Sequence, residues 1–119
     1  MNNLILGKNG EDLAIAYLKN SGYRIIERNF RIRGGEIDVI ALDGEILVYI
    51  EVKTRTSHQF GLPEESVGYH KIKFLERAAK FYRANRTNLR LPEPERIDVV
   101  AVDLSEAKPK IDLIRNITQ

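Results

Sequence analysis

Apolar residues in the first half of the chain form two short runs that are separated by a turn dipeptide. The runs, 39–42 and 46–52, are rich in Val, Ile and Leu, and Asp43-Gly44 lies between them. Asp-Gly favours a two-residue type I′ turn because both positions tolerate positive φ. The pattern therefore predicts a β-hairpin whose register places Glu36 opposite Glu51.

Alternation of side chains along this hairpin separates polar from apolar positions. One face is expected to carry Glu36, Asp38, Tyr49, Glu51 and Lys53. The other face is expected to be apolar, with Ile37, Val39, Ala41, Ile46, Val48, Ile50 and Val52. In this register Asp38 and Glu51 are diagonal neighbours, roughly 7–8 Å apart, so both carboxylates can reach one divalent cation. Lys53 ends the same strand and adds a positive charge.

Segments with helical periodicity lie on both sides of the hairpin in the sequence. Residues 10–20 predict a helix that ends at Gly22, with Glu11 on its apolar stripe. Residues 69 to about 85 predict a second helix. Its core stripe is expected to be Ile72, Leu75, Ala79 and Tyr82, widened by Phe74, Ala78 and Phe81. With a strand-like stretch before the hairpin and strands at 96–104 and 111–115, the order is helix, three strands, helix and two strands, which predicts an α/β fold.

Each acidic motif also has a purely structural interpretation. Glu and Lys at a hairpin end often form ordinary surface ion pairs. The same pattern, an acid followed after a gap by acid-x-Lys, recurs at Asp98 and residues 106–108. Pro109 follows this second match and indicates a turn there. Glu11 could simply stabilise the positive N-terminal end of its helix.

Composition favours one compact domain over residues 1–119, with 43% hydrophobic and 30% charged residues. The chain has no cysteine and two histidines, which excludes disulfides and thiolate zinc sites. A metal site would thus use oxygen ligands, which suit Mg²⁺ or Mn²⁺. The N-terminus offers neither a signal-peptide core nor a membrane span, so we expect a cytoplasmic protein without a membrane partner.

Positive charge is concentrated in two regions although the net charge is only +2. The second predicted helix carries Lys71, Lys73, Arg77 and Lys80. The stretch before the hairpin carries Arg24, Arg28, Arg31 and Arg33, and Arg55 follows Lys53. Cations on both sides of an acidic metal site favour a phosphate-bearing ligand, and we expect Arg31, Arg55 and the helix cations to bind nucleic acid. Solvation of a charged helix face is the alternative.

Five segments carry a family resemblance: residues 7–14, residues 22–23 with 29–31, residues 35–38, residues 51–55 and residues 96–100. In these segments the chain resembles the YraN-like family of small bacterial proteins. That family is similar in turn to the restriction-endonuclease-like PD-(D/E)xK nucleases, especially Holliday-junction resolvases. Ile37 stands where the name of that superfamily places a proline.

The resemblance implies a restriction-endonuclease-like core, with a central mixed β-sheet flanked by helices in the order α-β-β-β-α-β. It implies that Glu11, Asp38, Glu51 and Lys53 form a nuclease site. We expect Asp38, Glu51 and the Val52 carbonyl to hold Mg²⁺ or Mn²⁺. The expected activity is metal-dependent hydrolysis of phosphodiester bonds, with DNA as the favoured substrate and branched DNA as one candidate.

Three functional hypotheses follow from the sequence. The first is a metal-dependent endonuclease, for which two symmetric cuts at a junction would require a homodimer. The second is a catalytically inactive nucleic-acid-binding module of the same fold, because relatives can keep a fold and lose its catalytic activity. The third is an assembly subunit that uses the polar loop around Phe60.

Overall fold

The part of the chain that the structure describes forms a five-stranded sheet with a helix on each face. The structure, a computed structural model, describes residues 3–56 and 68–118. The helices are α1 (Asn3–Asn20) and α2 (Tyr69–Ala84). The strands are β1 (Arg24–Ile32), β2 (Gly35–Asp43), β3 (Ile46–Arg55), β4 (Glu95–Asp103) and β5 (Lys110–Ile114). This order confirms the predicted α/β class with a mixed sheet between helices. His58 and Phe60, which the sequence places in a loop, lie outside the described residues.

The sheet follows the chain order, β1-β2-β3-β4-β5. Neighbouring strands are antiparallel except β3 and β4, which are parallel and are connected through α2. Such a crossover needs a long connection, and a helix is the usual one. The carboxyl end of β3 consequently lies beside that of β4, with Lys53 paired to Ala101.

Two apolar clusters, one on each face, bury the sheet. Helix α1 contributes Ala14, Ile15 and Leu18 to a cluster that includes Val39, Val48, Ile50 and Val100. Helix α2 contributes Phe74, Leu75, Ala78, Ala79 and Tyr82 to a cluster that includes Ile40, Leu47 and Tyr49. Burial on both faces explains why β3 reads as an almost continuous apolar run. No helix in residues 3–56 or 68–118 has both the length and the apolar composition to cross a membrane.

Some sequence-based predictions were wrong in detail. Helix α1 begins at Asn3, seven residues before the predicted start at Gly10. Phe81 was expected in the core of α2 but is 51% exposed, because it lies at the margin of the stripe beside the edge strand β1.

The hairpin register also differs from the prediction. Asp43 pairs with Ile46, so the turn is formed by Gly44 and Glu45 rather than by Asp43 and Gly44. The turn moves by one residue because Gly44 takes the positive φ in either case, here 60°. Continuing the observed register places Asp38, rather than Glu36, opposite Glu51.

Candidate metal centre

Three carboxylates from two elements converge at one edge of the α1 face. Glu11 comes from α1, and Glu36 and Asp38 come from the start of β2. One ligand oxygen from each lies within 4.8 Å of the others. Such a group can hold a cation, although acidic side chains also gather without one.

A break in strand alternation brings these acids to the α1 side. Ile37 packs in the α2 cluster, whereas Val39 packs in the α1 cluster, so the two do not share a face as predicted. The break lies between the pairs Arg28–Val39 and Phe30–Ile37, where the intervening Asn29 has φ 54°. This left-handed conformation turns the chain and is tolerated by Asn better than by most residues.

Neighbours of the kink hold the carboxylates in place. The Asn29 amide donates to Glu11 Oε2 at 3.3 Å and to Glu36 Oε1 at 3.1 Å. Arg28 Nη2 donates to Glu11 Oε1 at 3.1 Å. These charge-assisted bonds orient Glu11 towards β2. Because α1 begins at Asn3, Glu11 lies in the middle of the helix and does not stabilise its N-terminal end.

Asp38 connects the acidic group to the end of β3. The backbone N–H of Val52 donates to Asp38 Oδ2 at 2.8 Å. Burial raises the pKa of Asp38 to about 8, and the negative charge of Glu51, a hydrogen bond to Glu36 and the charge of Glu11 add to the rise. The Val52 hydrogen bond acts in the opposite direction. A carboxyl group with this pKa favours a proton or a bound cation.

Glu51 is buried between two lysines on the other side of Asp38. Its residue exposure is 4%, and within residues 9–56 and 68–118 only Glu51 and Asp98 are buried polar or charged residues. Lys53 Nζ lies 3.4 Å from Glu51 Oε1, and Lys71 Nζ lies 3.4 Å from Glu51 Oε2. Within the described residues, Oε2 is buried and accepts no hydrogen bond. Burying a carboxylate in this way requires compensating positive charge.

Two glycines allow the surrounding elements to approach the site closely. A Cβ on Gly10 would overlap Thr54 Oγ1 and lie 2.9 Å from Thr54 Cβ, so glycine lets α1 contact β3 one residue before Glu11. A Cβ on Gly35 would lie 2.9 Å from Phe74 Cζ, so the start of β2 rests against α2 one residue before Glu36. Both close contacts position carboxylates of the candidate centre.

Comparison with known proteins identifies relatives along almost the whole chain. The model of the Uncharacterised protein family UPF0102 matches residues 10–102. The chain belongs to this family. A UPF0102 protein of Geobacter metallireducens is 42% identical over 116 residues, covering 98% of this chain and 93% of the relative. Another, from Thermodesulfovibrio yellowstonii, is 48% identical over 111 residues, 93% of each chain. The predicted YraN-like membership is thereby confirmed.

This UPF0102 protein brings together the four acidic and basic residues expected in the site. Glu11, Asp38, Glu51 and Lys53 lie around the junction of β2, β3 and α1. Glu51 is absent from the group of three close ligand atoms, which contains Glu36 instead.

The cations predicted to bind nucleic acid divide into those near the candidate metal centre and those elsewhere on α2. The first set is Arg31, Lys71 and Arg77, and the second set is Lys73 and Lys80. Near the centre, Arg31 Nε lies 3.3 Å from Glu36 Oε2, Lys71 contacts Glu51, and Arg77 lies over the Phe74 ring. Lys73 pairs with Glu76, and Lys80 lines a groove with Glu76 and Glu95. Arg55 ends β3 with its terminal nitrogens buried.

Sequence reasoning missed Glu36 as a candidate ligand, Asn29 as the donor to Glu36 and Glu11, and Arg28 as a further donor to Glu11. The position of Glu36 could have indicated a ligand, because it lies two residues before Asp38 on the same strand. Nothing in the sequence indicates that Asn29 holds these carboxylates, because that role depends on a kink in the strand. The second acid-x-Lys match is structural: Asp98 is fully buried and accepts hydrogen bonds from Tyr23 and Arg96.

The donor set fits a hard divalent cation. Asp38, Glu51 and the Val52 carbonyl were expected to hold the metal, and all are oxygen donors of the kind that Mg²⁺ and Mn²⁺ prefer. Glu51 Oε2 has lysine but no hydrogen bond as compensation among the described residues, and Asp38 lies among three other carboxylates. A bound cation would contact Glu51 Oε2 and would offset the negative charge of the carboxylates around Asp38.

Proposed function

We propose that this UPF0102 protein is a metal-dependent endonuclease that hydrolyses phosphodiester bonds in nucleic acid. The observation that carries the proposal is the burial of Glu51 beside Asp38, with a lysine at each Glu51 oxygen. A structural ion pair needs one lysine, and it gains little from a second buried acid nearby. Catalysis of phosphoryl transfer needs both acids and cations at one point.

In the proposed mechanism, Asp38, Glu51 and the Val52 carbonyl would hold Mg²⁺ or Mn²⁺. A cation there would supply Lewis-acid stabilisation for charge that develops on the phosphate. The N–H of Val52 fixes Asp38 Oδ2 at 2.8 Å, so this carboxylate is oriented before substrate binds.

Lys53 acts on the reacting groups. Its ammonium orients the attacking water and offsets negative charge on the phosphate. Water adds to phosphorus, the bond to the leaving oxygen breaks, and the proton lost by water is balanced by one gained by the leaving oxygen. Glu11 and Glu36 lie close enough to Asp38 to help retain the cation.

The expected substrate is DNA, on the strength of the positive charge around the centre. Arg31 is 83% exposed and Arg77 lies over Phe74, so both can meet a phosphate backbone that enters the site. Branched DNA and a homodimer remain parts of this proposal, since two symmetric cuts need two sites.

The proposal is tested by cleavage of a labelled panel of branched, flapped, duplex and single-stranded DNA and RNA with Mg²⁺ or Mn²⁺. Asp38→Ala and Glu51→Ala, purified identically, should lose at least about 10²-fold in rate. Lys53→Ala should lose cleavage while keeping metal binding. Equal cutting by wild type and all variants would identify a contaminant and refute the site.

One observation favours the inactive binding module as a second candidate. The lysine pairs of Glu51 already neutralise its charge, so the centre can persist without a metal. This candidate predicts binding that weakens with salt but does not change with Mg²⁺ or with Lys53→Ala. Filter binding under both conditions separates it from the nuclease.

A further inference from the structure

Lys71 has contacts that the neighbouring lysines on α2 lack. Its Nζ lies 3.4 Å from Glu51 Oε2, the buried oxygen that accepts no hydrogen bond within the described residues. The same Nζ lies 5.1 Å from the centre of the Phe74 ring. Lys71 is 30% exposed, so it reaches both the buried acid and solvent.

The other lysines of α2 lie against residues outside the candidate metal centre. Lys73 Nζ lies 3.4 Å from Glu76 Oε1, and it lies over the ring of Tyr69. Lys80 lines a cavity of about 190 Å³ that Tyr49 and Glu95 also line. Lys80 lies nine positions after Lys71, roughly 13 Å along a helix. Lys71 alone among these three contacts the candidate metal centre.

The contact between Lys71 and Glu51 is a replaceable one. A charge-assisted hydrogen bond between ammonium and carboxylate is typically about 2.7–2.9 Å long, whereas this ion pair is 3.4 Å long. An ammonium on a flexible four-carbon chain can leave one anion for another while remaining charged. The adjacent Phe74 ring keeps the ammonium within the site, because a cation is attracted to an aromatic face.

We propose that Lys71 is a second catalytic lysine that exchanges between two anions. Without metal it neutralises Glu51 Oε2. When a divalent cation takes that oxygen, Lys71 contacts the phosphate that is being cleaved. The inference rests on the proposed function and deepens it, because it distinguishes Lys71 from cations that only hold the nucleic-acid backbone.

The exchange predicts effects of opposite sign in one variant. Lys71→Met removes the competitor for Glu51, so affinity for Mn²⁺ should rise by roughly fivefold or more. The same change removes a cation from the transition state, so the single-turnover cleavage rate should fall by about 10²-fold. A residue with a merely structural role would lower both.

Two further variants serve as controls. Lys19→Met removes the same charge from an exposed position in the last turn of α1, and it should leave Mn²⁺ affinity and cleavage unchanged. Lys71→Arg keeps the charge, so it should show no rise in Mn²⁺ affinity and should recover part of the cleavage rate. Urea unfolding of each variant checks that the fold is retained.

The experiment combines calorimetric titration with MnCl₂ and cleavage of the best wild-type substrate under single-turnover conditions. A rise in affinity with a fall in rate, in Lys71→Met alone, supports the inference. If wild type cuts and Lys71→Met cuts as fast, or binds Mn²⁺ no more tightly than Lys19→Met, the inference fails alone. If wild type cuts nothing, the proposed function fails, and the catalytic role of Lys71 fails with it.

Discussion

Asp38→Asn should make the protein less sensitive to rising pH when no metal is present. The pKa of this carboxyl is raised from 3.8 to about 8, chiefly by burial and then by the charge of Glu51. The folded state therefore binds a proton that the unfolded state has released. The contribution to stability is complete below about pH 4 and is lost as the pH rises through about 8.

The magnitude follows from the slope of this linkage. Each pH unit inside the window costs up to about 1.4 kcal/mol, so the step from about pH 5 to pH 7 costs up to about 2.7 kcal/mol. Because Asp38 is partly exposed to solvent, we expect the measured loss to be about 1–2 kcal/mol. Asp38→Asn keeps an oxygen for the Val52 N–H, and it should lack this loss.

The assay is urea unfolding in EDTA at both pH values. Asp112→Asn makes the same chemical change at an exposed position on β5, and it should retain the wild-type pH dependence. Excess Mg²⁺ should reduce the wild-type loss, since a bound cation replaces the proton. An Asp38→Asn protein whose stability falls with pH as steeply as wild type would refute the reasoning.

Two further substitutions test the packing around the centre. Gly10→Ala should lower the free energy of unfolding by about 1–3 kcal/mol, because the new Cβ meets Thr54. Gly68→Ala, which has no atom within 4 Å, is its control, and equal stabilities in urea would contradict the close contact. Tyr23→Phe should cost about 1–3 kcal/mol, because buried Asp98 loses a donor at 2.7 Å. An unchanged urea midpoint would exclude that role.

Sequence reasoning succeeded where one local pattern determined the outcome. Periodicity predicted both helices and the order of helices and strands along the chain, since buried strands and amphipathic helices differ in period. It placed the hairpin turn one residue early, because Gly44 satisfies the positive φ of either turn. The register error changed the partner of Glu51, but a shift of two residues between the strands does not by itself exchange their faces.

The remainder of the candidate site depends on tertiary structure. The kink at Asn29 reverses the faces of Ile37 and Glu36, and one Asn inside a strand-like stretch does not predict a kink there. The contact of Lys71 with Glu51 spans twenty positions in the sequence. Helical periodicity indicates which side of α2 carries Lys71, but the crossover geometry decides which strand end it meets.

The kink at Asn29 has a further consequence for association between molecules. Within the described residues β1 is an outer strand, and an outer strand exposes backbone groups that can pair with another chain. The irregular register between Ile25 and Glu27 and the positive φ of Asn29 distort this edge at two points. A regular strand from a second molecule could not stay in register along β1. The conformation that gathers the carboxylates thus also protects the sheet from uncontrolled growth at that edge.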